Sequence, residues 1–182
     1  PEASLRAPCA SQERSTTPRG APRHTRHLLD HYGITTPLTS YHEFNERGKA
    51  PALVERVKGG ASIALVSDAG TPAISDPGFR LVVEAIEAGI SLIPLPGPSA
   101  LVTVLSRSGL PRDRFVFEGF LPAKRSERAA RLQALRAGGA TLVFYGAPHR
   151  LRESLSALAQ ILGDRRIVVA REVSKIHEEF LR

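Results

Sequence analysis

From residue 62 to residue 170 short apolar runs alternate with helical stretches, and this alternation constrains the fold more than any other feature of the chain. Residues 62–66, 91–95, 114–117, 140–145 and 166–170 have the length and composition of buried strands. Residues 79–88, 99–106, 125–137 and 150–162, which lie between and after them, have helical spacing. Strands separated by helices give an α/β fold with a mostly parallel sheet, because a parallel pair needs a crossover connection. Two further helices are predicted upstream, over 25–32 with a stop at Gly33 and over 49–58 with a stop at Gly59-Gly60. Gly109-Leu110-Pro111 is the best candidate for a linker, which divides the chain into domains at 23–111 and 112–182.

Composition narrows the partners. The chain carries 25 Lys and Arg against 18 Asp and Glu, a formal charge of +7 that favours a polyanionic partner without setting specificity. Only 5% of residues are aromatic and none is Trp, so a base-stacking platform is poorly supported and any RNA contact is mainly electrostatic. No stretch approaches the roughly 18 apolar residues of a membrane span, so no membrane partner is expected. A single cysteine, Cys9, forms neither an internal disulfide nor a zinc knuckle, which fits a reducing cytoplasmic setting. His24, His27 and His31 share one face of the first helix. With no carboxylate or cysteine cluster beside them they are expected to be a solvated basic surface, and no metal is assigned.

Residues 1–22 are rich in Pro, Ser, Thr and Arg, lack a hydrophobic period, and are expected to be a disordered tail. An Arg-rich organellar targeting peptide is the sharper alternative. The chain contains no methionine, which leads to the expectation that it is processed or a fragment.

Two loops stand out for chemistry. Ser67-Asp68-Ala69-Gly70-Thr71-Pro72 follows the strand ending at Val66, at the carboxyl edge where α/β sheets bind ligands. Asp68 offers a carboxylate and Gly70 permits close backbone approach, although a plain strand-to-helix turn uses the same residues. Asp76 then reads as a helix N-cap with Pro77 in the first turn, a structural role. Pro94-Leu95-Pro96-Gly97-Pro98-Ser99-Ala100 repeats the arrangement after the next strand, so the two loops outline a pocket or form two rigid turns. No phosphate-binding loop, dinucleotide fingerprint, nucleophile elbow or zincin motif occurs. Nucleophilic and metal catalysis therefore lack support.

The unbroken run from Ser67 to Gly78, Ser-Asp-Ala-Gly-Thr-Pro-Ala-Ile-Ser-Asp-Pro-Gly, resembles the signature of the ribosomal RNA 2′-O-methyltransferase branch of the tetrapyrrole methylase family. The resemblance continues in order through Pro94 to Ser99, Gly109 to Pro111, Glu118 to Lys124, Phe144-Tyr145, His149-Arg150 and Ala170 to Glu172. Upstream, Arg23 to Arg26 and Tyr41 to Glu43 are also similar to family segments. The resemblance implies a two-domain α/β enzyme that binds S-adenosylmethionine in the cleft between domains. It implies methylation of a cytidine ribose in small-subunit ribosomal RNA, with that RNA or the 30S subunit as partner, and a homodimer. By position, Ser67, Asp68, Ala69, Gly70 and Thr71 would line the cofactor pocket, Pro98, Ser99 and Ala100 would form a second wall, and Tyr145 would close it.

Transfer of a methyl group to a 2′-hydroxyl needs positioning, plus a base or cation for the oxygen. Lys124 and Glu118 are the candidates, and Arg23, Arg26, Arg125, Arg128 and Arg150 are candidates for RNA phosphates. The chain departs from the family pattern at both ends. It lacks the family's first strand, Pro-Ile-Gly-Asn-Leu type loop and Glu-Asp pair, and it stops before the remaining second-domain strands. Both domains are therefore expected to be incomplete, and the product marginally stable or prone to aggregate. The alternatives are a small-molecule methylase of the same fold and a basic RNA-binding remnant without activity.

Overall fold

The computed structural model describes residues 15–19, 22–67 and 70–182. The chain divides into two compact units between Pro98 and Ser99. Both are built of strands connected through helices, the α/β class that the alternation predicts. The linker expected at Gly109-Leu110-Pro111 lies inside the second unit, directly after a helix that belongs to it.

In the first unit, β1 (Ser15–Arg19) lies between β2 (Leu38–Ser40) and β3 (Ser62–Ile63), parallel to both. Thr17 pairs with Leu38 and Thr16 with Ile63. This corrects the expectation of a disordered tail through residue 22: the middle strand comes from that tail. Its run Ser-Thr-Thr-Pro-Arg has no apolar alternation, and Pro18 gives up a ladder donor, so nothing in its pattern marks it as a strand. Pairing through the backbone, which is indifferent to side chain, is what defines it. Helix α1 (Pro22–His31) follows, and α2 (Glu46–Lys58) starts three residues before the expected position and accommodates Pro51 in its second turn.

The core of this unit is Tyr41, Ala50 and Leu53, against which Ile63, Leu65 and Leu81 pack. Helix α3 (Phe79–Glu87) lies on α2 and carries Leu81 to that core. The helices end alike. The N–H of Ile34 donates to Leu29 (2.8 Å) past α1, that of Ala61 to Arg56 (3.1 Å) past α2, and that of Ile90 to Ala85 (2.9 Å) past α3. Each bond reaches back five residues across a glycine and satisfies a carbonyl that the helix leaves open. Lys49 is held to β2, its Nζ donating to the Ser40 carbonyl (2.6 Å) and the Thr39 hydroxyl (3.0 Å).

Residues 91–95, expected to be a strand, form no ladder. Ile93 is 82% exposed, with Leu92 and Leu95 also open to solvent. Strand-like composition makes a strand only where a neighbour presents its edge, and among the described residues none does here. The run 62–66 likewise pairs only over β3.

The second unit begins with α4 (Ala100–Ser108) and continues through β4 (Phe115–Phe120), α5 (Arg125–Leu135), β5 (Thr141–Tyr145), a 3-10 turn at Pro148–Arg150 and α6 (Leu151–Leu162). Strands β4 and β5 are parallel with α5 as crossover, as the alternation predicts. A hairpin of β6 (Val169–Arg171) and antiparallel β7 (Glu179–Leu181) completes the unit. Glu178 ties this hairpin to α4: it accepts the Ser174 N–H (2.8 Å) and pairs with Arg107, and these contacts hold its carboxyl below the usual range.

Tyr41 gives the first unit a pH signature. The side chain is 1% exposed, and burial, aided by the Glu46 carboxylate, pushes its phenol from 10.0 up to about 12. The folded chain holds this proton more tightly than the unfolded one, so the contribution is complete below pH 10 and is lost as pH rises toward 12. Thermal melting followed between pH 9 and 12 is expected to fall less steeply for Tyr41→Phe than for the unsubstituted chain.

Candidate functional site

The loop after β3 folds back sharply before α3. Gly78, not Asp76, stands at the N-cap, with φ 144° and no side-chain cap bond, so the expected capping role of Asp76 is corrected. Its carbonyl accepts the first helical bond, from Val82 (3.0 Å). A Cβ on Gly78 would lie 2.8 Å from Cδ2 of Leu65 and 3.2 Å from Cβ of Ala73. The φ of this position favours glycine, and the absence of a side chain lets the loop close on Leu65 and Ala73 without displacing them. Ala73 (φ 64°) and Ser75 (φ 54°) occupy the left-handed region as well, a concentration of strain of the sort found where a loop shapes a ligand site.

That fold-back brings the first loop to the second. The Thr71 hydroxyl donates to the Pro98 carbonyl at 3.3 Å. Gly70 sits beside it with φ 77°, exposed, and a Cβ there would meet only the Pro98 carbonyl, at 3.9 Å. The peptide at Gly70 is thus bare and open, a surface that a ligand can approach closely. Ser67 is half-buried, while Asp68 and Ala69 lie outside the described residues. At the end of the second loop Ser99 is the N-cap of α4. Its carbonyl accepts from the N–H (3.0 Å) and hydroxyl (2.8 Å) of Thr103, and its own hydroxyl does not cap the helix. Ala100 opens that helix, exposed, with first-turn N–H groups that have no intrahelical partner.

The remaining expected residues lie in several places. Tyr145 ends β5, its ring 4.9 Å from Phe117 and 5.6 Å from Phe120. Glu118 occupies a bulge: Phe117 pairs with Val143 but Gly119 with Phe144, leaving Glu118 as the extra residue. Its side chain is only 5% exposed and accepts the Arg131 Nε–H at 2.5 Å. Lys124 caps α5 without a capping bond and pairs through Nζ with Glu127 at 3.1 Å, both side chains largely exposed. The two candidates thus have different partners, and Glu118 anchors α5 through Arg131.

Among the candidate phosphate contacts Arg26, Arg125 and Arg150 are exposed. The side chain of Arg23 lies outside what is described. Arg128 corrects its expected surface role. It is 7% exposed, and Nη1 donates to the carbonyls of Pro122 (3.3 Å) and Ala123 (3.1 Å), so it braces the start of α5. Arg131 and the exposed Arg152 were missed. Spacing alone gives no reason to select either from a chain with 25 basic residues. Among the described residues no three His, Cys, Asp or Glu cluster as metal ligands, and no helix is long and apolar enough to cross a membrane.

The fold is α/β, and its first unit brings two glycine- and proline-rich loops together beyond a parallel strand. The chain belongs to the family described as Tetrapyrrole (Corrin/Porphyrin) Methylases, which it matches over residues 9–182. The match begins before Arg23 and takes in β1. The chain is 54% identical over 157 residues to the Ribosomal RNA small subunit methyltransferase I of Pseudomonas aeruginosa, covering 86% of this chain and 56% of that protein. It is 56% identical over 160 residues to the protein of the same name from Xylella fastidiosa, covering 87% and 59%. It is 52% identical over 158 residues to that of Mesorhizobium japonicum, covering 86% and 54%. The chain spans about half the length of the curated relatives it matches.

The closure at Gly78 generates a direct test. Gly78→Ala places a Cβ at a strained φ and presses the end of the Leu65 side chain, and is expected to cost roughly 1–3 kcal/mol, chiefly from the backbone. Gly97→Ala, where a Cβ meets nothing within 4 Å, should change stability by less than about 0.5 kcal/mol. Urea unfolding of the two variants checks the difference.

Proposed function

We propose that this chain is the methyl-transfer portion of an S-adenosylmethionine-dependent enzyme that methylates the 2′-hydroxyl of a cytidine ribose in small-subunit (16S) ribosomal RNA. The observation that carries the reading is the Thr71 to Pro98 hydrogen bond, which draws the two signature loops together. The names of relatives more than half identical to this chain support the choice of RNA as substrate. A cytoplasmic homodimer acting on the 30S subunit or its RNA belongs to the same proposal.

The residues present fit the cofactor. Among the described residues, the exposed peptide at Gly70 beside the Pro98 carbonyl suits a ligand recognised by close backbone approach. Ser67, Asp68, Ala69, Gly70 and Thr71 would hold it on one side and Pro98 on the other, and Ser99 and Ala100 are assigned to it on the resemblance alone. Tyr145 is assigned to it on the resemblance alone. When bound, S-adenosylmethionine supplies an electrophilic methyl group on a sulfonium.

Chemistry of this kind asks the protein for orientation more than covalent help. Thr71 fixes the Pro98 carbonyl and with it the spacing of the two loops. Lys124 Nζ, exposed and paired with Glu127, is assigned to stabilise negative charge on the ribose oxygen as its proton passes to solvent water. Glu118, held by Arg131, keeps α5 and so Lys124 in place.

The test is transfer of a labelled methyl group to small ribosomal subunits from a strain lacking the modification. Incorporation at a cytidine ribose supports the proposal. Transfer to precorrin-like substrates instead would favour a small-molecule methylase, and RNA binding without transfer an inactive remnant. Lys124→Ala is expected to lower kcat by about 100-fold with the cofactor Kd unchanged.

A further inference from the structure

Charge is divided unequally between the two units. Fifteen of the 25 Lys and Arg fall in residues 99–182 against eight of the 18 Asp and Glu, so this part carries the whole +7. The ten of each sign in residues 1–98 cancel. A polyanion that binds by electrostatics therefore has one half of the chain to bind to.

Within that half an open groove of about 730 Å³ lies between α5 and α6. Helix α5 leaves the carboxyl end of β4 and α6 that of the parallel β5, so both helices begin at the same edge of the strand pair. Each brings first-turn N–H groups and the positive end of its dipole. Arg125 at the start of α5 and Arg152 at the start of α6 line the groove, exposed and with no acidic partner among the described residues. Ala129, Ser156 and Ala157 leave it open along the helices.

A second observation at the same place points to a ligand. Arg128 also lines the groove, with a side chain 8% exposed, and its buried Nε has no hydrogen-bond partner. Nη1 is taken up by the Pro122 and Ala123 carbonyls, and among the described residues its ionic partner is Glu153, at 3.6 Å and 67% exposed, so the buried charge is only loosely paired. An anion seated between the two helix starts would answer it.

We propose that the α5–α6 groove is a binding site for the sugar–phosphate backbone of RNA, with Arg125 and Arg152 contacting successive phosphates and Arg128 supplying positive charge beneath them. This rests on the RNA reading above and deepens it by giving the substrate a place on the second unit. The groove has no aromatic lining, so it holds backbone and carries no base specificity.

The experiment measures binding of the protein to unmethylated small ribosomal subunits across a salt series, for the unsubstituted chain, Arg125→Glu/Arg152→Glu, Ser156→Glu and Arg112→Glu. Arg112 is exposed in the same unit and outside the groove, so its variant reports the effect of net charge alone. The double variant is expected to reduce the slope of log K against log salt by about two and to raise Kd by about 50-fold at 0.1 M salt. Ser156→Glu should weaken binding as well, with affinity for S-adenosylmethionine unchanged in every variant. A double variant no weaker than about two Arg112→Glu changes, together with Ser156→Glu binding normally, overturns the groove while leaving the RNA reading intact. If the unsubstituted chain shows no salt-dependent binding at all, the RNA reading itself fails, and this proposal with it. Selective capture of an acidic protein by the groove, lost in the double variant while RNA binding persists, also overturns it.

Discussion

Close packing at Gly78 is the constraint on which the candidate site depends. With φ 144° and close approach to Leu65 and Ala73, this residue lies where the loop turns back over the chain that leaves β3. The return carries Thr71 to within hydrogen-bonding distance of the Pro98 carbonyl and leaves the Gly70 peptide bare beside it. Leu65 and Leu81 flank this loop and pack on the Tyr41, Ala50 and Leu53 core, so the site is continuous with the core of its unit. Positive φ at Ala73 and Ser75 is tolerated because that packing fixes both ends of the segment.

The sequence made the helices and the two loops legible because each has a local signal: helical spacing, glycine stops, and runs of glycine and proline after apolar strands. Features decided by partners were not legible. β1 has no strand pattern and exists through its ladders to β2 and β3, while residues 91–95 have the pattern and lack the ladder. Glu118, a catalytic candidate by sequence, lies at a one-residue bulge and is paired with Arg131, a partner thirteen residues away that no local pattern announces. Arg128 and Arg125 are indistinguishable by composition, yet one is buried beneath carbonyls and the other is open, because α5 rotates by about 100° per residue. Asp76 failed as a cap because the helix starts two residues later than its sequence signal suggests.

The two units differ in charge, and the proposed roles follow that difference. The first is electrically neutral and holds the loop pair whose backbone is open. The second is strongly basic, and its helices α5 and α6 begin side by side with arginines at the edge of a groove. Such a division suits a reaction between a small cofactor and a large polyanion, where one partner is held by close backbone contact and the other by diffuse charge. The family match and the identity to longer relatives apply to both units, so neither is an accessory to the other.

The central claim is that the paired loops form the cofactor pocket, and calorimetric titration with S-adenosylmethionine, comparing the unsubstituted chain with Thr71→Val, tests it most directly. Removing the hydroxyl forfeits one hydrogen bond between the loops, worth about 0.5–1.5 kcal/mol. The account predicts binding by the unsubstituted chain and a weakening of roughly 2- to 13-fold in the variant, with melting temperature nearly unchanged. Equal affinity for both would contradict it and move the pocket away from the Thr71 and Pro98 loops.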